Sequence, residues 1–209
     1  MTLEWASIDT PVGPVSVACG DAGVAEVRFG APPAGATGAP TADATTADQP
    51  AGATTADQPA SATPAGQPAR TPGRSRTVRD ARWQLAEYFS GQRKEFNLPI
   101  DWSRFGPAQR QVLGLLYDDV GYGETVTYGT LAGRAGIPAS TDVIPARAVG
   151  QIMGSNPIPV IVPCHRVVAS DGLGGYSGGA GPEVKRWLLI LEGSLPPTLD
   201  WVPGTPPSG

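Results

Sequence analysis

Cys164 stands in the run Pro163-Cys164-His165-Arg166-Val167, where a thiol, an imidazole and a guanidinium follow one another. A thiolate is a strong nucleophile, and a nearby base or cation is what draws it from the thiol near neutral pH. His165 is the only histidine of the chain, so any imidazole chemistry must use it. Adjacent side chains in an extended segment diverge, which predicts that His165 reaches the sulfur through a water rather than directly. A histidine acting as a base also needs an orienting carboxylate. Glu192, at the end of an apolar helical stretch, is the expected one, because the other acids mostly lie in exposed-looking contexts. The same residues admit a plainer reading: a buried structural cysteine beside a hydrogen-bonding histidine.

Three further features could serve the thiol. Gly172-Leu-Gly-Gly-Tyr-Ser-Gly-Gly179 is a glycine-rich loop carrying one aromatic, Tyr176, and one hydroxyl, Ser177. Such a loop lets backbone amides approach a planar ligand, although a flexible turn has the same composition. Tyr128 opens a short helical segment, where its phenol could donate a proton or simply pack. Arg147 lies among the small residues Ala146, Ala148 and Gly150, which permit close approach of a helix to a nucleic-acid backbone. The alternative for Arg147 is a solvated surface arginine.

The elements that must position these residues can be read from hydrophobic period. Leu3–Ile8, Val15–Cys19 and Val24–Phe29 alternate at period two and are separated by Pro/Gly turns, which predicts a three-stranded antiparallel meander. Cys19 shares the Val15/Val17 face and reads as a buried small apolar residue. Helical spacing follows at Val78–Phe89, Gln109–Tyr117, Thr127–Gly136, Pro145–Met153 and Val184–Glu192. Thr127–Gly136 and Pro145–Met153 resemble a helix-turn-helix with a long linker, Ile137–Ile144. Ile158-Pro-Val-Ile-Val-Pro163 reads as an extended buried segment delivering Cys164 at its end.

Between the strands and the first helix lies a different composition. Residues 31–76 are Ala, Gly, Thr, Pro, Gln and Asp with almost no large apolar side chain, and ATTADQPAG (44–52) is followed directly by ATTADQPAS (53–61). Neither copy has an apolar face to stack, so burial cannot offset ordering entropy and a disordered insertion is expected. The expected organisation is 1–30 with 77–101 as an N-terminal α/β domain, 102–195 as a second domain, and 196–209 as a loose Pro-rich tail. Much of the Gly and Pro sits in the insertion, so the foldable chain is shorter than its 209 residues suggest.

Composition also excludes. One histidine and two cysteines cannot assemble a typical four-ligand zinc site, so no metal and no cofactor are expected. No apolar run reaches the roughly 18 residues of a membrane span, and no secretory signal is visible, so a cytoplasmic protein is expected. A net charge of −4 argues against a generic electrostatic nucleic-acid binder. Residues 103–195 carry seven basic and seven acidic side chains, so DNA binding there must rest on local placement.

Taken together, Gly123-Glu-Thr-Val-Thr-Tyr-Gly-Thr-Leu-Ala132, Ala146-Arg-Ala-Val-Gly150, Asn156-Pro-Ile-Pro-Val-Ile-Val-Pro-Cys-His-Arg-Val-Val168 and Gly175-Tyr-Ser-Gly-Gly179 resemble the methylated-DNA–protein-cysteine methyltransferases, the O6-alkylguanine-DNA alkyltransferases. The resemblance covers about half the chain well and the N-terminal part more loosely. It implies an α+β fold: a small ribonuclease-H-like N-terminal domain and a mostly helical, winged-helix-like C-terminal domain. It also implies a monomer acting on double-stranded DNA that carries O6-alkylguanine, and O4-alkylthymine as a second lesion. In a bacterium the protein would be nucleoid-associated.

By the same resemblance, Cys164 attacks the alkyl carbon of a flipped-out guanine and keeps the alkyl group, so each molecule acts once. His165 is the base through a water and Glu192 orients it. Tyr128 donates to the guanine ring nitrogen, while Tyr176 and the Ser177 amide contact the lesion. Arg147 wedges into the base stack. Asn156 and Arg166 tie the site together. The chain departs from the family pattern in a longer stretch between Gly136 and Arg147, in Ala108 where Phe is usual, in Gly121 where Pro is usual, and around Gly179–Lys185. Structural zinc ligands of some members are missing. Two other functions fit parts of the pattern: a non-catalytic DNA sensor, which would bind lesions without gaining mass, and a Cys-His hydrolase, which would release product catalytically.

Overall fold

The computed structural model describes residues 2–38, 73–140, 144–179 and 181–197. Strands β1 (Glu4–Ile8), β2 (Val15–Gly20) and β3 (Gly23–Phe29) form the expected antiparallel meander. A fourth strand, β4 (Thr37–Gly38), adds in parallel to β1, giving the order β3-β2-β1-β4. The Thr37 hydroxyl donates to Leu3 O at 3.0 Å and fastens this edge.

Helix α1 (Arg74–Phe89) packs across β1, β2 and β3. Its Val78, Ala81 and Leu85 meet Ile8, Val15, Val17 and Val24 in one apolar core. Cys19 lies in that core, and burial pushes its thiol up to about 12, which suits the plain structural role read from its strand face. Two edges of the expected insertion are therefore ordered: β4 lies inside it, and α1 begins before Val78. The reason is tertiary. β4 gains backbone hydrogen bonds from β1, and Arg74 gains an ion pair with Asp21 at 2.6 Å. Residues 39–72, which include both nine-residue copies, lie outside the described residues, as do 141–143 of the long linker and 198–209 of the tail.

The chain leaves α1 through Gly91, whose φ of +75° suits a residue without Cβ. It returns to the sheet where Ile100 bridges Val24. A single 3-10 turn at Trp102–Arg104 leads to α2 (Pro107–Asp119). Then come β5 (Val126–Thr127), α3 (Tyr128–Arg134) and α4 (Pro145–Gly154). β6 (Val167–Val168) pairs in parallel with β5, and α5 (Pro182–Leu191) closes the described core. Pro107, Pro145 and Pro182 each stand in the first turn of their helix, where a missing N–H costs nothing. Helices α2, α3 and α4 pack on one another through Val112, Leu116, Leu131, Val149 and Met153. The result is a mixed α/β protein: a small sheet under one helix, joined to a mainly helical part.

Candidate active site

The segment before Cys164 is not extended as expected. Ile158–Val162 closes on itself, with Val162 N–H donating to Ile158 O at 3.0 Å and Val160 at φ +74°. A β-branched residue in that region is uncommon and strained. Asn156 holds the turn shut: its Nδ2 donates to Val162 O at 2.9 Å, and its Oδ1 accepts from Ile158 N–H at 3.1 Å. Local sequence favours extension for Pro-Val-Ile-Val-Pro, and the side-chain clamp overrides it. Cys164, His165 and Arg166 then form one 3-10 turn instead of continuing a strand. Their side chains fan out to different sides of this turn.

Cys164 borders a cavity of about 370 Å³ that is lined by Tyr128, Ala146, Gly150, Met153, Gly154, Gly175, Tyr176 and Ser177. Residues from α3, α4 and the glycine-rich loop thus converge on one sulfur. Tyr128 Oη donates to Gly175 O at 3.2 Å, fastening the loop over the cavity. The Ser177 hydroxyl donates to Gly154 O at 3.2 Å, fastening the other side to the end of α4. Arg147 is exposed beside this opening, one residue along from the lining Ala146, while Ala148 does not line it.

Behind the sulfur lies a buried polar cluster. His165 Nε2 is 3.0 Å from Glu192 Oε1, and both side chains are fully buried. A carboxylate can only accept, so Nε2 carries the proton and Nδ1 keeps its lone pair. Nδ1 is buried with no protein partner. Arg166 does not face the cavity. Its Nε and Nη2 donate to the two Glu192 oxygens at 2.9 and 2.8 Å, and its Nη1 donates to Val120 O at 2.7 Å. It belongs to the support of Glu192.

The electrostatics follow from this packing. Burial pushes the Cys164 thiol up, against the pull of Asn156, Tyr176 and the Lys185 charge, so the resting sulfur holds its proton. Burial pushes His165 down despite Glu192, so the imidazole is neutral near pH 7 and free to accept a proton. Burial alone would raise Glu192. The His165 hydrogen bond and the Arg166 guanidinium outweigh it and hold the carboxyl well below the usual range.

Two residues of the cluster were not picked out from sequence. Lys185 is buried on α5, and its Nζ donates to Val167 O at 2.6 Å and Gly175 O at 3.1 Å. It also lies 5.6 Å from the Tyr128 ring, and burial brings its ammonium down to about 8. A lysine flanked by Val184, Trp187 and Leu188 was the available signal. Tyr88 is the other: it read as core on the apolar face of α1, yet its hydroxyl donates to Glu192 Oε1 at 2.6 Å. Among the described residues no group of His, Cys, Asp and Glu could hold a metal ion, and no helix is long and apolar enough to cross a membrane.

A conserved-domain description fits the same stretch. Residues 107–194 match the family model for the 6-O-methylguanine DNA methyltransferase DNA-binding domain. The mouse methylated-DNA–protein-cysteine methyltransferase is 54% identical over 84 residues, 40% of this chain and 37% of the mouse protein. Its Mycobacterium tuberculosis counterpart is 44% identical over 115 residues, 54% of this chain and 64% of that protein. These sequence matches thus span from little more than a third to just under two thirds of the relatives' lengths. The crystal structure of Mycobacterium tuberculosis OGT in complex with DNA is similar over 91% of this chain and 93% of that one, with a TM-score of 0.64 and 31% identity. The chain belongs to the O6-methylguanine-DNA methyltransferase family.

Proposed function

We propose that this protein repairs double-stranded DNA by moving the alkyl group of O6-alkylguanine, and of O4-alkylthymine, onto its own Cys164. The observation that carries the reading is the cysteine at the edge of a base-sized cavity, backed by a neutral histidine whose free nitrogen is Nδ1. A cavity of about 370 Å³ is within the range of small-molecule sites and is lined mainly by apolar atoms and small residues. The relatives are named for this reaction, and a related structure is bound to DNA.

In this mechanism the lesion flips out of the duplex into the cavity, at a cost of a few kcal/mol of unstacking. His165 Nδ1 takes the Cys164 proton through a water, with Glu192 holding the imidazolium that forms. The thiolate attacks the alkyl carbon as the carbon–O6 bond breaks, and its electron pair leaves with the base. Tyr128 donates a proton to a ring nitrogen of the departing guanine, and the Ser177 amide and Tyr176 border the alkylated oxygen. The thioether has no easy leaving group, so the protein is consumed after one turnover.

Arg147, with Ala146, Ala148 and Gly150 on α4, meets the DNA and fills the space left by the flipped nucleotide. Asn156 and Arg166 act as supports of the reactive turn. Under this reading the sheet with α1 is the ribonuclease-H-like part, and residues 102–195 are the winged-helix-like part. The protein works as a monomer in the cytoplasm, on the nucleoid if bacterial, without metal or cofactor.

Mass spectrometry after incubation with duplex DNA containing O6-methylguanine tests the reading. The expected result is one methyl per protein, on the peptide holding Cys164, and none in Cys164→Ser. Turnover beyond one equivalent, methylation elsewhere, or binding to the lesion without mass gain would overturn it.

A further inference from the structure

Tyr88 comes from the N-terminal helix yet ends inside the polar cluster behind Cys164. Its ring is fully buried and boxed by aromatic neighbours: Phe89 and Tyr122 edge-on at 5.5 and 6.3 Å, and Phe96 tilted at 5.3 Å. A phenol packed in this way has little rotational freedom, so its hydroxyl is aimed at one place. That place is Glu192 Oε1, to which it donates at 2.6 Å, and it also lies 3.4 Å from His165 Nε2.

We propose that Tyr88 is a positioning residue for alkyl transfer: by donating to Glu192 Oε1 it sets how strongly that carboxylate pulls on His165, and so the basicity of the imidazole that accepts the Cys164 proton. Oε1 is shared by three donors, Tyr88 Oη, His165 Nε2 and Arg166 Nη2. Each donor spreads the carboxylate charge and weakens its pull on the others. Without the phenol, more of that charge falls on the His165 N–H, the imidazolium is favoured, and the base titrates at higher pH. His165 is then protonated, and useless as a base, over a wider acid range.

The charged and titratable groups around His165 come from every element packed on it. Glu192 and Lys185 belong to α5, Arg166 and Cys164 to its own turn, Tyr88 to α1, and Tyr122 to the segment after α2. Only Tyr88 among them comes from the N-terminal part. Burial and the Glu192 charge push its phenol well above its ordinary value, so it stays a donor throughout the working pH range. The N-terminal part thus supplies a hydrogen bond to the reaction as well as packing.

This inference rests on the alkyl-transfer reading, and the test separates the two. His165 is the only histidine of the chain, so its NMR titration is unambiguous and needs no activity. In Tyr88→Phe the His165 midpoint is expected to move up by about half a pH unit or more. Single-turnover methyl transfer below neutral pH should slow by about tenfold, with affinity for lesion-bearing DNA unchanged. Site-specific 3-fluorotyrosine at position 88 keeps the fold and makes a stronger donor, so it should move the midpoint the other way. Opposite shifts in the two variants are what a purely structural tyrosine would not give. An unchanged His165 midpoint with 3-fluorotyrosine, or a rate loss in Tyr88→Phe that is the same at every pH, overturns the proposal. If the wild-type protein takes up no methyl while the His165 shifts appear, the alkyl-transfer reading fails and the coupling stands.

Discussion

Arg166 grips Glu192 with two parallel hydrogen bonds, Nε to Oε2 at 2.9 Å and Nη2 to Oε1 at 2.8 Å, in the interior of the protein. The third arm of the guanidinium caps Val120 O at 2.7 Å. The two residues lie 26 apart in sequence, so this pair ties the turn of Cys164 to the end of α5. Arg166 thereby keeps Glu192 ionised and aimed at His165.

Removing one partner leaves the other charge buried and alone. Arg166→Met should therefore destabilise the protein by about 3–5 kcal/mol, far more than loss of a surface ion pair. Urea unfolding followed by tryptophan fluorescence measures it. A loss below about 1 kcal/mol would mean that Glu192 is solvated or protonated in the folded state, against the geometry found.

The same cluster sets a response to acid. Burial pushes His165 below its ordinary 6.5, so between 6.5 and its folded value the unfolded chain binds a proton that the folded one refuses. Glu192 is held well below its ordinary 4.5, so the unfolded carboxylate takes up its proton first as pH falls. Both differences give stability that rises with pH. The unfolding midpoint should fall from pH 6.5 downward, and more steeply below 4.5. His165→Gln should remove the upper part of that fall and leave the lower part. A midpoint flat from neutral pH to 5 would exclude the assigned protonation states.

How much of this was legible beforehand depends on whether the cause was local. The meander and the five helices follow from period-two and period-3.6 patterns, and each appears within a few residues of its expected bounds. Cys164, His165 and Glu192 could be grouped because there is only one histidine to orient and few acids end an apolar helix. The turn at Ile158–Val162 was not legible. Its residues favour extension, and only the Asn156 side chain, acting across the turn, makes Val160 adopt a positive φ. Tyr88 and Lys185 were hidden for a related reason. Both sit on apolar helix faces, and only the assembled fold brings their polar ends to Glu192 and to the Gly175 carbonyl. The strand at Thr37–Gly38 has no pattern of its own and exists because β1 offers an open edge.

The loop over the cavity depends on a glycine that cannot be replaced without moving a proposed proton donor. Gly174 has φ +69°, and a Cβ there would lie 2.9 Å from Tyr128 Cε2 and 3.3 Å from Ala169 N. Gly174→Ala should cost about 1–2 kcal/mol of stability through the backbone alone. It should also push the Tyr128 ring and slow alkyl transfer, while Gly172→Ala, with nothing within 4 Å of its Cβ, should do little. Thermal melts and single-turnover rates on the two variants check this; equal behaviour would argue that the loop is mobile in solution.

Arg147 lies outside the cavity, exposed, at the start of the helix that supplies Ala146 and Gly150 to its wall. A side chain in that position contributes to extracting a nucleotide from the stack and not to bond breaking. The expected consequence is a split between substrates. Arg147→Ala should slow transfer from duplex DNA by about tenfold or more, because the unstacking penalty is no longer offset by a residue filling the gap. With the free base O6-benzylguanine there is nothing to unstack, so the loss should be much smaller. Arg147→Lys should retain phosphate attraction but fill the stack poorly, and should fall between the two. Single-turnover rates on both substrates, at fixed salt, decide it. Equal losses on duplex and free base would move Arg147 from the DNA interface to the reaction chemistry, and no loss on either would leave it a solvated surface residue.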